Sequence, residues 1–268
     1  MKKRVISAVV MLAVAFACVF LSPVSRVLFF AAAGILCAYE LSHNYEKLNV
    51  YCGAWVMFVY IGAQVLLALF HAGTTAYIAC MAGSIYLALF DGIIRHKVSG
   101  DGAVYTIMGL AYPSFLFGLL MMISVSPKWL EVLTLACLST WVCDSFALFG
   151  GKRFGKHRVA PSVSPNKTVE GCICGFVSAL ATGVVIYYIP GLCRGIPLWL
   201  CVLTCAVAST MGQIGDLAES LIKRMIGVKD FSNLIPGHGG MFDRADSLLF
   251  SIPTAYICLF IFGYASIG

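Results

Sequence analysis

The sequence predicts an all-α polytopic membrane protein with about nine transmembrane helices and a cytoplasmic N-terminus, and three observations carry that prediction. The first is composition. Of 268 residues, 60% are hydrophobic and 11% charged, and the mean hydropathy is +0.93, whereas a soluble domain carries about 25% charged residues. The second is a series of apolar runs of spanning length, at 5–21, 27–41, 51–70, 74–94, 104–124, 129–149, 172–189, 197–217 and 247–266. The third is the placement of basic residues. With the N-terminus in the cytoplasm and alternating sides, Arg26, Lys128 and Arg194 are the only Lys or Arg on the far side, out of 18 in the chain. Such a bias is what the positive-inside rule requires. It accounts for most of the net charge of +6, leaving no case for nucleic-acid binding.

Taken in order, the first two runs are short, and a single hairpin dipping into the bilayer is an alternative for them. Met1-Lys2-Lys3-Arg4 before an apolar run has the look of a signal peptide, but the run is 17 residues long and no A-x-A site follows, so an uncleaved span is expected. Residues 1–103 form N-terminal transmembrane helices in this division, and 104–268 a catalytic transmembrane region with a cytoplasm-facing polar site. Glu40 and Asp91 fall near span ends, where ordinary solvation is the expected reading. Most of the twelve cysteines fall inside spans (Cys18, Cys37, Cys80, Cys137, Cys201, Cys205 and Cys258 among them), where they behave as small apolar residues. No disulfide is expected.

Chemistry begins at the sixth span. Asp144 is an acid in an apolar helix, either paired with a nearby cation or lining a polar cavity. Loop 150–170 holds Lys152, Arg153, Lys156, His157, Arg158 and Lys167, together with the turn Ser164-Pro165-Asn166-Lys167-Thr168 and then Glu170-Gly171. A basic loop serves as a topology signal. Glycines beside the cations also suit phosphate, because backbone N–H groups can then approach an anion. In the eighth span Thr210, Gln213 and Asp216 recur every third residue, and Asp216, Glu219, Ser220 and Lys223 share one helical face. Asp243 and Asp246 open the ninth span, where carboxylates also suit the helix dipole. Pro253 is expected to kink that span.

The longest polar run is Ser220–Asp246, with Lys223, Arg224, Lys229, Asp230, Gly237-His238-Gly239-Gly240 and Arg244. Asp144, Asp216, Asp243 and Asp246 are candidate ligands for a hard cation such as Mg²⁺, with a second cation as an option. Lys and Arg can clamp phosphate oxygens, and the glycines let backbone fold around an anion. There is no Walker A sequence, GxSxG elbow or HExxH.

These residues carry a resemblance. Lys223-Arg224, Lys229-Asp230, Pro236-Gly237-His238-Gly239-Gly240 and Asp243-Arg244-Ala245-Asp246 are similar to the signature of the phosphatidate cytidylyltransferase (CDP-diacylglycerol synthase) family. The block from Asp144 to Gly171, with Gly151, Phe154-Gly155 and Ser164 to Thr168, resembles that family too. The first hundred residues match in hydropathy alone. The resemblance implies CTP and phosphatidic acid as substrates, CDP-diacylglycerol and pyrophosphate as products, and a place in phospholipid biosynthesis. It implies a multi-pass protein of the inner or plasma membrane with its active site facing the cytoplasm, and a homodimer is one option for assembly. Asp216, Asp243 and Asp246 become metal candidates by this likeness. Lys223, Arg224, Lys229, Asp230, His238 and Arg244 become catalytic candidates, with His238 held by its loop or bound to substrate rather than acting as a general base. Lys152, Ser164, Asn166, Lys167, Glu170, Ser220, Gly239 and Gly240 become substrate-binding candidates. A CTP-dependent lipid or polyprenol kinase and an anionic-solute transporter are the alternatives.

Overall fold

A computed structural model describes residues 2–95, 101–234 and 239–266, with side chains from Val9 onward. The chain runs α1 (Lys2–Leu21), α2 (Pro23–Glu46), α3 (Ala54–Leu69), α4 (Thr74–Ile94), α5 (Asp101–Gly109), α6 (Phe115–Ser124) and α7 (Trp129–Phe154). It continues through β1 (Arg158–Ala160), β2 (Ser164–Thr168), α8 (Val169–Tyr188), α9 (Leu198–Ile226) and α10 (Phe242–Ile261). Among the described residues, seven helices are long and apolar enough to cross a membrane: α2, α4, the stretch Asp101–Ser124, and α7 to α10. Val9–Leu21 and Ala54–Leu69 are shorter apolar helices. This is the multi-pass, almost wholly helical architecture that composition predicts.

The chain divides into two compact units, each with its own core. The first holds residues 1–126 and 226–244. Its two leading helices separate at Ser22-Pro23. Pro23 opens α2, where a missing N–H costs nothing, and Ser22 and Ser25 cap each other reciprocally, Ser25 N–H to Ser22 Oγ at 3.0 Å and Ser22 N–H to Ser25 Oγ at 2.9 Å. α2 packs on α3 and α6 through Val27, Leu41, Met57, Ile61, Phe117 and Met121, all at most 2% exposed. The fifth predicted span is interrupted by a π turn at Leu110–Ser114, where Pro113 lacks a backbone donor and Tyr112 takes extended backbone. Ser114 Oγ donates to the freed Gly109 carbonyl at 2.8 Å.

Glu40 and Asp91 depart from the solvated reading: they are 3% and 8% exposed. A buried carboxylate needs partners. Asp91 accepts from Tyr51 Oη at 2.8 Å and from Arg95 Nε at 2.9 Å. Glu40 caps the start of α10, as described below.

The second unit holds residues 127–225 and 245–266. Its helices approach closely where glycine removes the side chain, as helices in lipid commonly do. A Cβ at Gly150 would sit 2.5 Å from Cys174 Cβ, and one at Gly183 would sit 2.7 Å from the Cα of Val202. Thr140 and Ser247 border Gly212 in the same way. All twelve cysteines are free. α10 continues through Pro253 as one helix.

Candidate active site

Loop 150–170 is more ordered than its composition suggests. α7 extends to Phe154, and Arg158–Ala160 pairs antiparallel with Ser164–Thr168, Arg158 opposite Thr168 and Ala160 opposite Ser164. Thr168 then caps α8, its Oγ1 accepting from Gly171 N–H at 3.2 Å. Glu170 clasps the entry to the hairpin: it accepts from Lys156 N–H at 3.0 Å and meets His157 Nδ1 at 2.6 Å. Glu170, expected at substrate, thus has a local structural task.

The hairpin presents half-buried Lys167, whose Nζ lies 2.7 Å from Asp216 Oδ2 and donates to the Gln213 carbonyl at 3.2 Å. Arg224 Nε reaches back to the Val163 carbonyl at 3.2 Å. One turn along α9 from Asp216, Glu219 is fully buried and paired with Lys223. Ser220 Oγ contacts Asp216 Oδ1 at 3.4 Å. Asp246 completes the group from α10. α9 and α10 meet at Gly215, where a Cβ would stand 2.7 Å from the Asp246 carbonyl and 2.8 Å from the Phe250 ring. Carboxylate oxygens of Asp216, Glu219 and Asp246 lie within 4.8 Å of one another. Asp144 on α7 is within electrostatic range of Asp216, Asp246 and Lys167.

This trio fits a hard divalent cation. Three like charges within 4.8 Å of one another repel by at least about 3.5 kcal/mol per pair at an effective dielectric near 20, and all the donors are oxygens. Lys167 and Lys223 supply part of the compensation. The sequence had placed Glu219 on the Asp216 face but not among the ligands. Its i, i+3 spacing from Asp216 was the available signal.

The remaining predicted residues divide between the two units. Asp243 belongs to the first, where its Oδ2 accepts from Phe231 N–H at 3.1 Å and Gly240 N–H at 2.8 Å. Its carboxylate, expected among the metal ligands, thus also holds backbone of the α9–α10 connection. Gly239 has φ +86°, a conformation open to glycine, and Gly240 is buried beside Glu40. Lys229, Asp230 and Arg244 are exposed in the same unit, and Lys152 and Asn166 are exposed in the second, with Ser164 half-buried. His238 and Gly237 lie outside the described residues.

Lys167→Ala is expected to lower turnover at least about tenfold, while Lys2→Ala, another cation of the same chain, leaves it near normal. Steady-state rates on purified variants check this, and equal small losses would reduce the hairpin's basic residues to a topology signal.

Fold and site together define a multi-pass membrane protein with an acidic and basic polar centre suited to a polyphosphate and a divalent metal. Residues 2–262 match the cytidylyltransferase family, and the chain belongs to that family. It is 35% identical over 179 residues to a phosphatidate cytidylyltransferase of Staphylococcus saprophyticus, covering 67% of each chain. It is 34% identical over the same length to one of Staphylococcus haemolyticus. Over 204 residues it is 31% identical to one of Staphylococcus aureus, covering 74% of this chain and 76% of the relative.

Proposed function

We propose that this chain makes CDP-diacylglycerol from CTP and phosphatidic acid, releasing pyrophosphate. The observation that carries this reading is the carboxylate trio Asp216, Glu219 and Asp246 with Lys167 and Lys223 beside it, in a chain of the cytidylyltransferase family. A phosphatidate oxygen attacks the α-phosphorus of CTP, the new P–O bond forms, and the bond to pyrophosphate breaks. Phosphatidate is already anionic, so no general base is required, and the task is positioning and charge compensation. Asp216, Glu219 and Asp246 would hold Mg²⁺, with Asp144 adding negative charge to the same centre. When bound, the cation would neutralise triphosphate charge and favour departure of pyrophosphate. Lys167 and Lys223 orient phosphate oxygens, and Ser220 supports the Asp216 carboxylate. Lys152, Ser164, Asn166, Arg224, Lys229, Asp230, Arg244 and the glycines Gly239 and Gly240 are the further candidates for holding the two substrates.

The finer topology belongs to the same proposal: nine spans, N-terminus and active site cytoplasmic, with 1–103 as N-terminal helices and 104–268 as the catalytic region. Soluble CTP then meets the site at the membrane surface, while the lipid arrives from the bilayer.

One experiment tests reaction, metal and orientation together. Inverted and right-side-out sealed vesicles receive phosphatidate and CTP labelled at the α-phosphate. Label is expected in lipid, with pyrophosphate released, in inverted vesicles alone, and a chelator should abolish it. In a parallel reaction with CTP labelled at the γ-phosphate, label in the lipid would identify a kinase instead, and CTP-independent movement of an anion a transporter. Full turnover with chelator present would remove the metal assignment.

A further inference from the structure

The carboxylate of Glu40 sits far from the polar stretch in sequence yet forms its wall within the first unit. Glu40 Oε1 accepts from Ser232 Oγ at 2.6 Å and Met241 N–H at 2.9 Å, and Oε2 accepts from Phe242 N–H at 2.9 Å. One turn along α2, fully buried Asn44 donates from Nδ2 to the Phe231 carbonyl at 2.7 Å. The N–H of Phe242, the first of α10 and without a partner in its own helix, and that of Met241 just before it are thus met by a side chain from α2. The negative charge also lies at the positive end of the α10 dipole.

The fit depends on residue 240. A Cβ at Gly240 would stand 2.6 Å from Glu40 Oε2 and 2.8 Å from Oε1, so a side chain there and the Glu40 carboxylate exclude each other. Phe231 and Phe242, at most 1% exposed, stack at 4.7 Å between centroids and close the corner on its apolar side. Asp243 joins Phe231 to Gly240 through their N–H groups.

We propose that Glu40, assisted by Asn44, is a positioning residue for the proposed cytidylyl transfer: it fixes residues 231–232 and 240–242, and with them the flanking Lys229, Asp230, Gly239 and Arg244. The inference rests on the reaction proposed above. Glu40 touches no substrate in this role. It sets the backbone path of the connection that carries substrate candidates, from a helix whose sequence gives no sign of chemistry. A carboxylate with three donors on it does this better than an amide. Glu40→Gln keeps the size but turns one acceptor into a donor facing a backbone N–H, and a facing pair of donors is costly when buried.

The test uses the full chain in nanodiscs. Glu40→Gln is expected to speed hydrogen exchange at Met241 and Phe242 selectively. It should also lower kcat/KM for CTP at least about tenfold with an unchanged size-exclusion profile. Glu46→Gln, an exposed acid on the same helix, should do neither. Gly240→Ala should resemble Glu40→Gln. Glu40→Ala combined with Gly240→Ala should cost less than the two single losses combined, because truncating the carboxylate removes the clash. Unchanged exchange and kinetics in Glu40→Gln, a strictly additive double variant, or exchange raised uniformly along the chain would each overturn the proposal. Should Glu40→Ala fail to fold, Glu40→Gln and Gly240→Ala decide it. If the unaltered chain makes no CDP-lipid, the reaction reading falls, while the exchange pattern still decides whether Glu40 fixes this corner.

Discussion

Asp246→Asn is expected to enter the membrane and survive detergent extraction like the unaltered chain, yet to lose at least about 100-fold in turnover, or about 2.7 kcal/mol of transition-state stabilisation. Asn keeps the size of Asp246 and can still accept from Ser247 N–H, now 2.6 Å away, so folding has little reason to fail. What Asn cannot supply is the third negative charge beside Asp216 and Glu219. A helix-dipole role alone would cost only about 0.3–1 kcal/mol, well short of 100-fold. Asp243→Asn provides the contrast. Its carboxylate accepts two backbone N–H groups, so its loss should show as faster exchange at Phe231 and Gly240 and a smaller drop in rate. The measurement is CDP-lipid formed per folded molecule over a range of Mg²⁺ concentrations. Excess Mg²⁺ should partly restore Asp246→Asn, by mass action on a weakened site. Near-normal turnover in well-folded Asp246→Asn would leave the dipole reading standing and remove the ligand assignment.

The membrane architecture was legible because bilayer thickness fixes the length of an apolar run, whatever its packing. Helix ends were less so. α9 extends to Ile226 and α10 begins at Phe242, both past the apolar windows, because polar faces continue a helix out of the membrane without any hydropathy signal. The interruption at Leu110–Ser114 had a signal in one letter, Pro113, which brings no backbone donor to the helix, while Ser114 recovers the lost hydrogen bond. At the site, Asp216, Ser220 and Lys223 were readable together because they share one helical face. Glu219 was on that face too, but a lone residue letter does not reveal full burial beside Asp246. Glu40 was the hardest to read. Its partners are about 190 to 200 residues away, and a carboxylate near a span end reads as solvated when its neighbours are unknown. Asp243 was read for its charge alone, and its hydrogen bonds to the backbone of Phe231 and Gly240 are contacts that no letter pattern reveals.

Gly175→Leu should be among the most damaging single changes outside the polar residues. A Cβ at Gly175 would stand 2.8 Å from Cys143 Sγ, 2.9 Å from the Cys143 carbonyl and 3.2 Å from Ala147 Cβ. One turn earlier, a Cβ at Gly171 would stand 2.7 Å from the Ala147 carbonyl. α7 and α8 therefore touch backbone to backbone along this seam, and no rotamer of a larger side chain relieves contact with a carbonyl. Overpacking of a well-fitted interior costs about 1–3 kcal/mol, and more when backbone must move. In lipid, separated helices recover little, because close packing is itself the main force holding them together. The damage would also reach the site. Gln213 Nε2 donates to Cys143 Sγ at 3.0 Å, tying α9 to α7 one turn before Asp216, and Thr168 at the head of α8 anchors the hairpin that carries Lys167. Gly175→Leu is expected to give little monodisperse protein on extraction and at least about 100-fold less turnover per cell. Phe176→Leu, one residue along on the exposed face of the same helix, should behave almost normally. The check is size-exclusion recovery of both variants, alongside CDP-lipid formation in their membranes. Equal recovery and equal turnover would mean that α7 and α8 can part without cost, and that the glycines along their seam hold nothing in place.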